Sequence, residues 1–241
     1  MREARQSNSA LKRRRPLLIT FSGLDGSGKS TQIENLRALI AEMGYNSLLL
    51  AFWDDVVALS RYREDFVHKV FRSEQGIGAP GKPVHRRDKN MRGWHLSLAR
   101  HGLYLLDAMH LRIVIAKARR SAADVIIMDR YIYDELANLT LANSLTRAFV
   151  RIVTALVPRP DVAYLLDADP ETARARKPEY PVDFMRQCRS SYFALANIVG
   201  NVTVIPPLAL PEAKRLVEKH FRARVEGTES PAAEYVGHPA A

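Results

Sequence analysis

Residues Phe21–Thr31 read FSGLDGSGKST. Gly23, four residues, then Gly28-Lys29-Ser30 make the pattern G-x-x-x-x-G-K-[ST], which can wrap a backbone around a polyphosphate. Context decides whether it does so here. Ahead of it stands PLLIT, a short apolar, partly β-branched run that reads as a buried strand. After it comes KSTQIENLRALIAEMG, in which Ile33, Leu36, Ile40 and Met43 fall at steps of three and four, one apolar stripe of a helix. Gly44 stands where such a helix should stop. Strand, glycine-rich turn, helix is the arrangement a phosphate loop requires, and the other reading, a glycine turn with a chance lysine, explains less of it.

The residue types then follow from the chemistry. Glycines let the backbone approach phosphate without Cβ clashes, and successive N–H groups at a helix N-terminus offer positive charge. Gly23, Leu24, Asp25, Gly26, Ser27, Gly28, Lys29, Ser30 and Thr31 are therefore the expected nucleotide-binding residues. Lys29 can reach the β- and γ-phosphates, and Ser30 can place its hydroxyl on Mg²⁺. The expected ligand is Mg-ATP or another Mg-NTP. The loop alone specifies binding, not a reaction.

At 241 residues and 47% hydrophobic the chain has the size of one α/β domain with additions and can bury a core. Its single cysteine, Cys188, precludes an internal disulfide and fits a reducing compartment. The most apolar long stretch, Gly102–Ala118, carries Asp107, His110, Arg112 and Lys117, which argues against a membrane span. No apolar signal-peptide core follows the basic N-terminus, so a cytoplasmic protein is expected.

The formal net charge is +10, part of it in MREARQSNSALKRRR. Residues 1–15 read as a basic disordered arm, 16–224 as a phosphate-loop α/β domain and 225–241 as a tail. With no aromatic residues among its charges the arm reads as solvated, more than as a tether to nucleic acid or anionic lipid. Residues 72–93 form a second basic stretch, with Arg86, Arg87, Lys89 and Arg92 among too many Gly and Pro for a helix. Cys188, at helical spacing from Phe184 and Tyr192, reads as a small core residue. The seven histidines show no metal spacing.

Elsewhere apolar runs alternate with helical periodicity. SLLLAF, DVIIMD, DVAYLLD and NVTVI read as strands. Helices are expected over DVVALSRYREDFVHKVF, from about Trp94 to Arg120, through AFVRIVTALV, on each side of KPEYP, and near Pro211–Arg222. Such alternation predicts a P-loop NTPase-type α/β fold, a mostly parallel five-stranded sheet with helices on both faces. Ligands then sit at the carboxyl ends of strands.

That rule singles out Asp129 and Arg130, which end the apolar strand in VIIMDRY. Asp129 can orient Mg²⁺ or its water, and the guanidinium of Arg130 suits bidentate phosphate recognition. A simple Asp129–Arg130 ion pair closing the strand is the other reading. A second phosphate-binding cation beside an ATP site suggests transfer to an acceptor that itself bears phosphate. The third candidate is DADPETARARKPEYP. Pro170 is placed to start a short helix, and Arg174, Arg176 and Lys177 come near its end. They can cover a transferring phosphoryl group as a lid, or merely complement a helix C-terminus.

FSGLDGSGKSTQIENL, IIMDRYIYDELANL, YLLDADPETARARKPE and FMRQCRSSYFALA, in this order and spacing, resemble the thymidylate kinase family from about Leu17 to Leu216. The resemblance implies a nucleoside monophosphate kinase fold with a lid, and transfer of the γ-phosphoryl group of Mg-ATP to a deoxynucleoside monophosphate. It implies catalytic roles for Lys29, Arg130, Arg174 and Arg176, with Asp25 on the acceptor sugar and Arg130 on its phosphate. A local Asx-type bond is the alternative for Asp25. The phosphate loop has no Arg between its glycines, like the family branch whose catalytic arginines come from the lid. Two departures stand out. FWDD puts Asp54 and Asp55 where many relatives carry an arginine segment, and DAMH puts Asp107 where an arginine is usual. These leave room for another phosphorylated or sugar acceptor, while the basic arm and net charge leave open a non-catalytic NTP-binding protein with a basic surface. Trp53 can stack on a base or pack against the fold. A homodimer is left open.

Overall fold

The computed structural model of the chain describes residues 15–57 and 94–227. Five strands make one sheet: β1 (Leu17–Gly23), β2 (Ser47–Ala51), β3 (Val125–Asp129), β4 (Val162–Leu166) and β5 (Thr203–Ile205). Their spatial order is β2-β3-β1-β4-β5, and every pairing is parallel. Around it lie α1 (Lys29–Glu42), α2 (Trp94–Ala118), α3 (Ile132–Leu136), α4 (Ser144–Leu156), α5 (Pro170–Arg176), α6 (Val182–Val199) and α7 (Leu210–Glu226). This is the expected α/β architecture, parallel throughout among the described residues. Because β1 is central, with β3 and β4 beside it, the loops after Gly23, Asp129 and Leu166 open on one crevice.

Both faces of the sheet are covered, which is why its strands read as unbroken apolar runs. One core joins Leu18, Ile126 and Met128 to α2 and α4 through Ala108, Leu111, Ile115, Val150 and Val153. The other joins Ile19, Phe21, Ile127 and Tyr164 to α1 and α7 through Ile33, Leu36, Val217 and Phe221. Neighbouring strand residues thus serve opposite cores. Ile127 is fully buried, so Ile127→Ala should cost about 2–5 kcal/mol.

The helices start and stop for local reasons. Asn143 caps α4 by accepting from the Leu145 N–H, and Asp169 caps α5 by accepting from the Thr172 N–H, both at 2.9 Å. Pro170 occupies the first turn of α5, as expected. In α1 the buried stripe runs through Ile33, Leu36, Leu39 and Ile40, and Met43, the C-cap, packs partly buried against the same core. The segment after β2 begins as a π-helical turn, Phe52–Val56. The rest of the helix expected there lies outside the described residues, as do the basic stretch 72–93, residues 1–14 of the arm and residues 228–241. Cys188 is half-buried rather than a core residue; α6 turns Met185 and Leu195 inward instead. Among the described residues no helix is long and apolar enough to cross a membrane.

Candidate active site

The phosphate loop joins β1 to α1 in the predicted place. Gly23 has φ 139°, and a Cβ on it would collide with the carbonyl oxygen of Leu166 in β4. Gly26 has φ 82°, and a Cβ there would lie 2.5 Å from the carbonyl oxygen of Ala173 in α5. Both positions therefore require glycine. Gly28 forms the N-cap of α1 without a side-chain cap, and the first turn holds no acidic residue. The helix N-terminus thus keeps its positive end open to an anion. Ser30 and Thr31 are exposed there.

Lys29 is buried, and its Nζ donates to the carbonyl oxygens of Gly23 at 2.9 Å and Leu24 at 2.7 Å. Burial first, then the nearby Arg130 guanidinium, lower its pKa to about 8 against the pull of Asp134, Asp25 and Asp129. The ammonium rests on loop carbonyls at the site where phosphates would offer stronger, charged partners.

Arg130 follows β3 in a left-handed backbone conformation, φ 65°, the one such non-glycine among the described residues. Its N–H donates to Phe21 of β1 at 2.9 Å, which fixes the turn. That conformation costs of order 1–3 kcal/mol and collects at functional sites. The alternative reading, a pair with Asp129, is not what the guanidinium makes: Nη2 donates to Asp25 and Nη1 to Asp134 at 3.2 Å. Burial opposes the guanidinium's charge, but Asp134 and then Asp25 outweigh it, and the pKa is raised. Burial alone would raise the carboxyl of Asp25; Arg130, then Lys29 and Lys177, hold it below its ordinary value instead. Asp25 is thus committed to Arg130, not to a local turn bond.

The lid candidate packs on the loop. Nη1 of Arg176 donates to the carbonyl oxygen of Gly26 at 3.4 Å, while Arg174 is exposed on the same helix. Beneath it, Asp167 is gripped by Arg189 of α6 through two bonds of 2.6 Å. An open cleft with a cavity volume of about 120 Å³ runs between Ser27, Gln32, Thr172 and Arg176 and the 206–210 segment before α7.

Lys29, Arg130, Asp25, Asp129 and Arg176 thus gather around one crevice. Sequence reasoning missed Asp134, which pairs with Arg130, Ser22 and Tyr192, which bond Asp134, and the wall formed by Pro206 and Leu208. The four-residue step from Arg130 to Asp134 was a readable signal; Tyr192, on a distant helix, gave none. Of the departures, Asp55 accepts from the Ala51 N–H at 2.7 Å and closes its own turn, Asp54 is exposed, and Asp107 is fully buried in α2. Trp53 is 45% exposed, edge-on to Phe52, so it does not pack into the core. No cluster of three or more His, Cys, Asp or Glu residues able to hold a metal occurs among the described residues.

A family model described as thymidylate kinase matches residues 58–207, more than half of the chain. The chain belongs to the thymidylate kinase family. The matched span begins beyond the phosphate loop, so the loop's assignment stands on its own geometry. Similar proteins extend further. A probable thymidylate kinase of Pyrococcus abyssi is 26% identical over 207 residues, 82% of this chain and 91% of that one. A thymidylate kinase of Bifidobacterium longum subsp. infantis is 27% identical over 196 residues, 77% of this chain and 76% of that one. A thymidylate kinase of Caenorhabditis elegans is 28% identical over 176 residues, 69% and 70% of the two chains. The solved structure of thymidylate kinase from Ehrlichia chaffeensis superposes with a TM-score of 0.54 at 17% identity, over 87% of this chain and 99% of that one, and so shares its fold. Membership of the thymidylate kinase family makes this chain a phosphoryl-transfer enzyme of the nucleoside monophosphate kinase class, with ATP as phosphate donor.

Proposed function

We propose that this chain transfers the γ-phosphoryl group of Mg-ATP to the 5′-phosphate of thymidine monophosphate. The observation that carries the reading is the placement of two cations at neighbouring strand ends, Lys29 after β1 and Arg130 after β3, with Asp25 beside both. Lys29 belongs to the donor side. Its Nζ leaves the Gly23 and Leu24 carbonyls for the β- and γ-phosphates. Arg130 belongs to the acceptor side, where its fork grips two phosphate oxygens. When its Nη2 turns to the phosphate, Asp25 is released to accept from the acceptor's sugar hydroxyl.

The nucleophile is a phosphate oxygen that is already ionised near neutral pH, since the second pKa of a phosphomonoester is about 6. Catalysis then rests on positioning and on charge placed where charge develops. Arg176, with Arg174, supplies that charge from the lid. The cleft between Arg176 and residues 206–210 takes the adenine. Hard oxygen ligands suit Mg²⁺, and the exposed Ser30 hydroxyl and the Asp129 carboxylate, beside the phosphate loop, would hold it. Bound Mg²⁺ would neutralise charge on the donor phosphates. The single thiol and the need for ATP support the cytoplasm as the place of reaction.

The test is an acceptor panel with Mg-ATP: thymidine monophosphate, deoxyuridine monophosphate, the other monophosphates and phosphosugars, read by transfer of labelled γ-phosphate. Thymidine diphosphate should be the favoured product. Transfer to a phosphosugar with none to any nucleoside monophosphate would overturn the reading.

A further inference from the structure

Asp134 is buried, with 3% of its side chain exposed, and four donors surround its carboxylate. On Oδ2 it accepts from the Ser22 hydroxyl at 2.7 Å and from the Tyr131 N–H at 3.0 Å. On Oδ1 it accepts from the Tyr192 hydroxyl at 2.7 Å and from Nη1 of Arg130 at 3.2 Å. An ionised carboxylate offers about four acceptor sites, so all are filled. The donors come from β1, the turn after β3 and α6, and three of them do not involve the arginine. Those three hold the carboxylate still whatever Arg130 does.

The other carboxylate on Arg130 differs. Asp25 has 26% of its side chain exposed and sits in the phosphate loop, open to solvent. Its bond to Nη2 is the one an incoming phosphate can replace, because water and a sugar hydroxyl can take over Asp25. Losing the bond to Asp134 instead would leave a buried carboxylate without its cation, which is strongly unfavourable. We infer that Asp134 is the positioning residue for the acceptor site: its carboxylate, locked by Ser22, Tyr131 and Tyr192, anchors one edge of the Arg130 guanidinium so that the other edge faces the acceptor's phosphate. The inference rests on the reading of Arg130 as the acceptor-phosphate ligand. The Tyr192 hydroxyl also lies 3.3 Å from the Gly23 carbonyl oxygen, but its one hydrogen goes to the nearer Asp134 at 2.7 Å.

Asp134 also takes the N–H of Tyr131 at the start of α3, as a helix cap would. A cap alone would act on stability without reference to Arg130. A double-mutant cycle on the full chain separates the two. Asp134→Asn should raise the acceptor KM by about tenfold while the KM for ATP stays within about twofold. In an Arg130→Lys background the same change should add less than about threefold, because there is no fork left to aim. Equal effects in both backgrounds, a matching rise in the KM for ATP, or no change in either constant would overturn the role. If Asp134→Asn yields no cooperative melt, Tyr192→Phe, which removes one lock from Oδ1, is read by the same criteria. An unchanged acceptor KM in Arg130→Lys alone would overturn the assignment of Arg130 itself, whereas a rise there with additive Asp134 effects would overturn only the anchor.

Discussion

The Nζ of Lys29 donates to the carbonyl oxygen of Gly23 at 2.9 Å, inside the loop it is meant to serve. A lysine folded onto neutral carbonyls is held in place but weakly paired, and a phosphate oxygen outcompetes them. Lys29→Ala removes the cation and its contact with the transferring group. Turnover should fall by about a thousandfold, roughly 4 kcal/mol of transition-state stabilisation, with the thermal melt still cooperative. Initial rates beside a melting curve check both halves, and a turnover near wild type would contradict the assignment.

The lowered pKa of Lys29 has a sign that can be measured. At about 8 the group is charged below that pH and mostly neutral at pH 9. Polyphosphate beside it favours the ammonium, so its pKa rises on binding. Binding at pH 9 should therefore take up most of one proton, and ATP affinity should fall as pH rises from about 8. Calorimetry at pH 9 in two buffers of different ionisation enthalpy reads the uptake. No uptake, or the same uptake in Lys29→Ala, would show that Lys29 does not face the phosphates.

Arg176 reaches the loop at Gly26 from the lid helix. A contact that strengthens as charge spreads in the transition state lowers kcat more than it weakens ground-state binding. Arg176→Ala should therefore cut kcat by about a hundredfold while the KM for ATP changes by less than about threefold. Varying ATP at saturating acceptor gives both constants. A rise in the KM for ATP alone would demote the lid to a binding loop.

Gly26 lets α5 come down on the phosphate loop, with φ 82° and the Ala173 carbonyl oxygen where a Cβ would go. Gly26→Ala must move the backbone of one or the other, at about 1–3 kcal/mol. A lowered Tm and a lowered kcat should appear together. An unchanged Tm would mean that the loop and lid are less closely apposed than the structure has them.

What could be read beforehand was whatever local chemistry dictates. A glycine-rich turn between an apolar run and a 3.6-residue stripe is a local pattern, and Gly23 to Thr31 fell where it said. Strand ends were legible because buried parallel strands stop abruptly, at Asp129 and near Asp167. The anchor around Arg130 was not, because Ser22, Asp134 and Tyr192 meet only after β1, α3 and α6 pack together. Cys188 was placed in the core because spacing from Phe184 and Tyr192 marks a helix face without saying which face turns inward. Met43 closes the helix as its C-cap and still packs on the core its stripe faces.

The central claim is that Arg130 holds the phosphate of the acceptor. Its guanidinium fork, pinned at an unusual backbone angle between Asp25 and Asp134, has a geometry that a lysine cannot reproduce. The direct measurement is initial-rate kinetics of Arg130→Lys with thymidine monophosphate and ATP varied separately. The acceptor KM should rise at least about tenfold, or ~1.4 kcal/mol, while the KM for ATP stays near wild type. An unchanged acceptor KM, or a loss confined to ATP, would contradict the account.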